Sequence, residues 1–237
     1  MNGEIKDDFK LFGLTKSEFE QKFVSFDEDV VVTVSETDDL LDLKVTYSTG
    51  LRTEKYDLAI KAFFKTFGRY VYAFRDVTLK EQLVDLLKLN DCMLASAESF
   101  TGGNVAASII SVAGASKVFY EGVVAYDSRA KIARLGVKPE TLSKFKPVSC
   151  QVAKEMAEGL LKSGNCDIGV STTGIAGPLS DESGFPVGRC YVGVAYMGEV
   201  EVFEYDFSGD RATIIKSGVN AALFQAIKNI QREVNLC

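Results

Sequence analysis

CMLASAESFTGGNVAASIISV, residues 92–112, decides the fold. A short apolar run at 93–97 passes at once into polar and glycine residues, and then into a second apolar stretch with helical spacing. The first run reads as a buried strand and residues 102–112 as a helix. Between them stand Glu98, Ser99, Thr101, Gly102 and Gly103. A strand that turns directly into a helix is the repeating joint of α/β proteins, and ligand sites gather at such joints. Ser99 or Thr101 can serve here simply as a helix cap. A catalytic role for Ser99 requires a partner, because an unassisted serine hydroxyl is a poor nucleophile.

Working outward, the same alternation continues. A helix start at Thr78, with Glu81 three residues later, opens a stretch whose apolar face is Leu79, Leu83, Leu86 and Leu87. Residues 118–126 read as a strand, Lys131 begins or extends a short helix, and 139–144 form another. Ser149 caps a helix carrying Val152, Met156 and Leu160. Residues 167–172 form a short buried strand. Residues 189–197 and 200–207 make a hairpin around Gly198 and Glu199. A closing helix carries Ile215, Val219, Leu223, Ile227 and Val234. The pattern predicts a three-layer α/β/α sandwich with a mixed sheet over residues 77–237.

Residues 1–76 predict a separate, small α+β domain. Thr15 followed by Glu18 forms a capping box, with Phe19 and Phe23 on one helix face. Residues 30–35 favour a strand. Leu41, Leu43, Val45 and Tyr47 alternate with polar residues, the pattern of a half-buried strand. Residues 52–67 return to helical period. The expected order is helix, strand, strand, helix.

Composition narrows the chemistry. The chain has 237 residues, 46% hydrophobic and 25% charged, which suits a packed core. No apolar run approaches the roughly 20 residues of a membrane span, and MNGEIKDDFK carries no apolar signal core, so a cytoplasmic location and no membrane partner are expected. The net charge of −6 opposes nonspecific nucleic-acid binding. Five cysteines, an odd number without a CxxC pair, argue against a disulfide framework or zinc cluster. Most restrictive, the chain contains no histidine. Ser-His-Asp and Cys-His catalysis within one chain are excluded. Base catalysis near neutral pH falls to Lys, Asp, Glu, Tyr or Cys with a shifted pKa.

Four further polar junctions accompany the first. In YDSRAK, residues 126–131, Lys131 follows an apolar strand closely, where partial desolvation favours its neutral form. Neutral lysine can accept a proton from serine; an exposed helix lysine and a core-edge Tyr126 are the bland alternatives. In TTGIAGP, residues 172–178, small residues let backbone N–H groups approach a ligand, and Thr173 adds a hydroxyl. GAS, residues 114–116, caps, turns or binds. FSGDR, residues 207–211, ends a strand and opens the last helix, where Arg211 can hold a phosphate or carboxylate.

Together these residues resemble the CinA C-terminal domain family, whose characterised members include nicotinamide-mononucleotide deamidases. The resemblance runs from about Thr78 to Val234. It is carried by AESFTGG, GASKVFYEGVVAYDSRAK, LGVKPETL, PVSCQVAKEMAEG, TTGIAGP, PVG at 186–188 and FSGDR. It implies hydrolysis of the carboxamide of nicotinamide mononucleotide, or a related nucleotide, to the acid and ammonia. It implies Ser99 as nucleophile, Lys131 as general base and Tyr126 as a catalytic tyrosine. Glu98, Thr101, Gly102, Gly103, Ser116, Thr173, Gly174 and Arg211 fall on substrate-site positions. In this scheme N–H groups near residues 101–103 stabilise the oxyanion, and Glu98 either steadies Lys131 or caps the helix. No metal or organic cofactor is implied. A noncatalytic nucleotide-binding or interaction protein is the alternative.

Three departures from the family pattern stand out. Phe100 replaces a cysteine, Asp127-Ser128 replaces Ser-Asn, and Phe185 replaces a lysine in a loop that also carries Asp181 and Glu182. Residues 10–75 also resemble the KH-type middle domain of longer CinA proteins, most clearly at LFGLTKSEFE. Residues 1–75 have no GxxG loop, and their 11 Lys+Arg against 14 Asp+Glu give a net charge of −3, so RNA binding is not expected. A scaffold or dimer contact is, and with it a homodimer. The longer proteins carry a further N-terminal domain resembling molybdopterin-binding proteins and associated with ADP-ribose pyrophosphatase activity. No stretch here resembles it, and that activity is not expected.

Overall fold

The computed structural model describes residues 5–23, 30–37, 40–50, 53–180 and 184–234. The chain divides into two compact units, Met1–Thr78 and Leu79–Cys237. Arg52, Asp181, Glu182, Cys237 and the side chain of Val234 lie outside the described residues.

In the first unit, strands β1 (Ile5–Phe12), β2 (Val31–Glu36), β3 (Asp42–Thr49) and β4 (Val71–Ala73) form an antiparallel sheet in the order β2-β3-β1-β4. Helices α1 (Lys16–Lys22) and α2 (Glu54–Phe67) supply Phe19, Tyr56, Phe63 and Phe67 to a core with Phe9, Leu11, Val45 and Tyr47. The Thr15–Glu18 capping box is present, and Phe19 and Phe23 stack with ring centroids 5.6 Å apart.

Two strands extend the expected order of helix, strand, strand, helix. One is β1, whose charges disguise it. Asp8 accepts a hydrogen bond from Thr46 Oγ1, and Lys10 is buried in an ion pair with Asp42 at 3.0 Å. Pairing across the sheet makes these charges compatible with an interior that sequence reading reserves for apolar residues. The other is the three-residue β4, too short for a period-2 signal. Leu41 sits in a turn at φ +58 and not in the strand, which starts at the buried Asp42.

The second unit is a three-layer α/β/α sandwich. Its sheet runs β6-β5-β7-β8-β9, from β5 (Leu94–Glu98), β6 (Phe119–Val124), β7 (Ile168–Gly174), β8 (Arg189–Tyr196) and β9 (Glu199–Asp206). Pairs β5–β6 and β5–β7 are parallel; β7–β8 and β8–β9 are antiparallel, so the sheet is mixed. Helices α5 (Ser128–Leu135), α6 (Pro139–Phe145) and α7 (Cys150–Leu161) lie on one face. Helices α3 (Leu79–Leu89), α4 (Asn104–Ile110) and α8 (Arg211–Val234) lie on the other. Ala95 and Ala97 of β5 pack under Val152, Met156 and Leu160 of α7, while the alternate residues Ser96 and Glu98 face α4. Among the described residues, no helix is long and apolar enough to cross a membrane.

Helix α4 starts later than residue 102 because Gly103 sits at φ +98, a left-handed conformation that ends the turn and cannot continue a helix. Met156 is fully buried at the centre of the α7 contact, whereas Leu89 is 78% exposed. Met156→Ala is expected to lower unfolding free energy by about 2–5 kcal/mol, and Leu89→Ala to leave it within about 0.5 kcal/mol, both read from urea titrations.

Candidate active site

The connection from β5 to β6 runs through α4 on one face. The connection from β6 to β7 crosses β5 through α5, α6 and α7 on the other. The carboxyl end of β5 is therefore the point where consecutive connections diverge, the place where open α/β sheets leave a crevice. Ser99 stands there. Its N–H donates to Thr172 O at 3.0 Å, holding the residue to β7.

Glu98 explains how the following turn is held. Its carboxylate is buried and accepts from the Gly103, Val105 and Ala106 N–H groups at 2.9, 3.0 and 2.8 Å. Thr101 Oγ1 and Ser96 Oγ donate to it as well, at 2.8 and 3.2 Å. The glutamate of the strand thus caps the next helix, where negative charge is favoured. Neither Ser99 nor Thr101 does so; the N-cap residue is Gly103. Of the two roles open to Glu98, capping is the one occupied.

Lys131 reaches Ser99 from α5. Asp127 caps that helix by accepting from Arg129 N–H, and Arg129 pairs with the Asp127 carboxyl and holds it down to about 2. Side chains on a helix lean toward its N-terminus, so Lys131 points back at the residues preceding α5. Its Nζ donates to Ala125 O at 2.6 Å and Tyr126 O at 2.9 Å, and lies 2.9 Å from Ser99 Oγ. Lys131 is 1% exposed. Burial brings its pKa down from the usual lysine value to about 8, against the opposing pull of Asp127. With two N–H groups on carbonyls, the remaining position of Nζ faces the serine hydroxyl.

The cleft around this pair measures about 260 Å³. Ser99, Lys131, Tyr126, Thr173, Gly174 and Arg211 all line it, drawn from four separate stretches of sequence. Arg211 Nη1 donates to Gly177 O at 2.5 Å and Thr173 Oγ1 to Pro147 O at 2.8 Å. Tyr126 contributes its carbonyl to Lys131; its side chain is 65% exposed at the rim, and its phenol bonds neither Ser99 nor Lys131.

Five of the predicted substrate-site residues stand elsewhere. Glu98 and Thr101 are buried behind the turn, where Thr101 also meets Thr172 Oγ1 at 2.7 Å. Gly102 and Gly103 do not line the cleft, and their N–H groups are taken by Ser99 O and Glu98. Ser116 lies in a separate surface groove with Ile110, Phe119 and Tyr120. The oxyanion donors expected at 101–103 are thereby reduced. Among the described residues, the N–H groups without an acceptor at this turn are those of Phe100 and Thr101.

Sequence reading missed Phe100, Ser128, Pro147, Val148 and Leu179 as walls, whereas Ile175 and Ala176 fall within the 173–177 backbone it takes as ligand-facing. Each lies in or directly beside a quoted motif; Pro147 and Val148 open PVSCQVAKEMAEG. Phe185 is not a wall. Its ring lies against Tyr191, with the Arg189 guanidinium 5.2 Å from its centre.

Comparison with known proteins gives the family. Residues 76–230 match the CinA C-terminal domain. A CinA-like protein of Kosmotoga olearia is 48% identical over 147 residues, covering 62% of this chain and 36% of that protein. A putative competence-damage inducible protein of Clostridium kluyveri is 39% identical over 230 residues, covering 94% of this chain and 56% of that protein. The chain thus spans little more than half, or less, of the relatives it matches. Among solved structures, a competence-damaged protein (CinA) superfamily member from Klebsiella pneumoniae is similar with TM-score 0.63 and 30% identity, covering 65% of this chain and 96% of that one. CihA, a competence/damage inducible protein from Agrobacterium tumefaciens, is similar with TM-score 0.61 and 33% identity, covering 65% and 93%. On the breadth of the sequence match and the shared fold of its second unit, the chain belongs to the CinA C-terminal domain family.

Proposed function

We propose that the cleft is an amidohydrolase site that converts nicotinamide mononucleotide and water into nicotinate mononucleotide and ammonia. The observation that carries this reading is the 2.9 Å approach of the buried, neutralisable Lys131 amine to Ser99 Oγ. In a chain with no histidine, that pair supplies both nucleophile and base.

Ser99 Oγ attacks the carboxamide carbon as its proton passes to Lys131 Nζ. The carbonyl oxygen becomes an oxyanion and takes the Phe100 N–H, which has no acceptor in the protein and belongs to a residue lining the cleft. The tetrahedral intermediate collapses, the C–N bond breaks, and Lys131 returns the proton to the departing amine as ammonia. Water then attacks the acyl-serine, giving its proton to Lys131, and the acid leaves as Ser99 regains its hydrogen. Ala125 O and Tyr126 O keep Nζ in place through each protonation state. Arg211 offers its remaining guanidinium N–H groups to the phosphate. The scheme calls on no metal or organic cofactor.

Ammonia release from nicotinamide mononucleotide tests the reading. The wild-type chain should release it, and Ser99→Ala and Lys131→Met should each lower kcat by about a thousandfold or more. Binding without turnover by the wild type would overturn it in favour of a noncatalytic nucleotide-binding protein.

Acid–base behaviour gives a second check. Because neutral Lys131 is the base, kcat/KM should rise with pH and level off above about 8. A third check concerns folding. The native Lys131 pKa lies below the ordinary lysine value of about 10.4, so between these limits the unfolded chain binds more protons. The destabilisation from the buried charge is complete below about 8 and is relieved as pH rises toward 10.4. Wild-type stability, measured against Lys131→Met by denaturant unfolding, should therefore gain across that window.

A further inference from the structure

Phe100 follows Ser99 directly. Its ring is 4% exposed, in a cluster with Ala176, Cys190 and Ile214. The same residue lines the cleft. On its far side the ring meets α8 at a glycine. A Cβ placed on Gly218 would stand 2.3 Å from Phe100 Cζ and 2.6 Å from Cε2, so no other residue fits there without displacing the ring. The Phe100 ring therefore touches the α8 backbone directly. Helix α8 cannot move closer to the Ser99 turn, and moving away would open an apolar void.

Arg211 is the first residue of α8, seven residues before Gly218. Two helical turns separate them, so both lie on one face of α8, the face that Ile214 presents to Phe100. The helix that the ring holds at a fixed stand-off is the helix that carries the cleft's guanidinium.

We propose that Phe100, admitted by Gly218, is a specificity-determining spacer: it sets the distance between the Ser99 hydroxyl and Arg211, and so the length of substrate accepted between the reacting carboxamide and its phosphate. This rests on the amidohydrolase reading above and deepens it. A phosphate displaced from Arg211 by a fraction of the ring's width loses its directional hydrogen bonds, whereas a substrate without the phosphate does not sense the change.

The experiment compares kcat/KM for nicotinamide mononucleotide with that for the corresponding nucleoside, which lacks the phosphate. The ratio of the two reports the phosphate's contribution. It should be well above one for wild type and fall toward one in Arg211→Ala. Gly218→Ala, which pushes the ring, should lower the ratio about tenfold or more while keeping nucleoside turnover within about threefold. Phe100→Met, whose adaptable side chain fills much of the same space, should also lower the ratio and decides the matter if Gly218→Ala does not fold. A ratio within twofold of wild type in these folded variants overturns the spacer, as does a parallel loss of both substrates or a wild-type ratio near one. No ammonia from either compound with wild type overturns the hydrolase reading itself, and the spacer with it.

Discussion

The second unit is organised around an amine that water does not reach. An ammonium group buried without a carboxylate in contact is a costly thing to keep, and a leucine or methionine of similar size would pack at Lys131 with less penalty. Carbonyl oxygens of Ala125 and Tyr126 offset part of that cost by accepting its hydrogens. They do not supply a countercharge, so the neutral form gains ground, and the pKa comes down to about 8. A purely structural hydrogen bond between two backbone carbonyls and one side chain does not require a group that titrates. An amine held at the edge of neutrality, with its free position on a serine, is what proton transfer requires, and sites of this kind are where proteins give up stability for activity.

Topology makes the meeting possible. Ser99 and Lys131 are 32 residues apart and come from different layers: one at the end of strand β5 in the sheet, the other on α5, which follows the neighbouring strand β6. Because the chain leaves β5 on one face and returns across it on the other, the end of β5 is open to side chains from both. Glu98 closes the back of that opening. By consuming three N–H groups of the α4 N-terminus it removes the nearest alternative anion site, and it leaves the Phe100 N–H, in a residue that lines the cleft, without an acceptor. The same glutamate that shapes the turn thus selects which backbone donors remain available.

Much of this was legible in the sequence, for identifiable reasons. Periodicity located each strand and helix of residues 77–237, since each has one buried side and a polar or glycine boundary. Ser149 and Thr15 read correctly as caps because capping chemistry is local. Ser99, Lys131 and Arg211 stand at strand-to-helix joints and Thr173 and Gly174 at the end of a strand, positions where sites gather, and all five line one cleft. What failed was nonlocal. Strand β1 hides behind charges that find partners only once Asp42 and Thr46 lie beside it. Glu98 could not be assigned between two roles because its five donors become neighbours only after the turn closes. Gly102 and Gly103 looked like ligand-facing glycines, yet their N–H groups point back into the protein. Proximity in sequence to a nucleophile says little about which way an amide faces.

The charge of the chain bears on its substrate in the same local sense. A net charge of −6 argues against a polyanion laid across the surface, because such binding sums over many phosphates. A single phosphate in a cleft samples only the groups within a Debye length, and mostly those in contact. Phe185, standing where the family pattern has a lysine, is turned away against Tyr191 and capped by Arg189, whose own charge is spent on Asp206 and Glu204. Neither residue adds to the cleft. The positive charge there comes from Lys131 beside Ser99 and from Arg211, which donates to Gly177 O. Loss of the family's lysine is therefore not compensated by charge. On the proposed amidohydrolase reading, phosphate recognition then falls to the placement of one guanidinium, and in such a site geometry outweighs net charge.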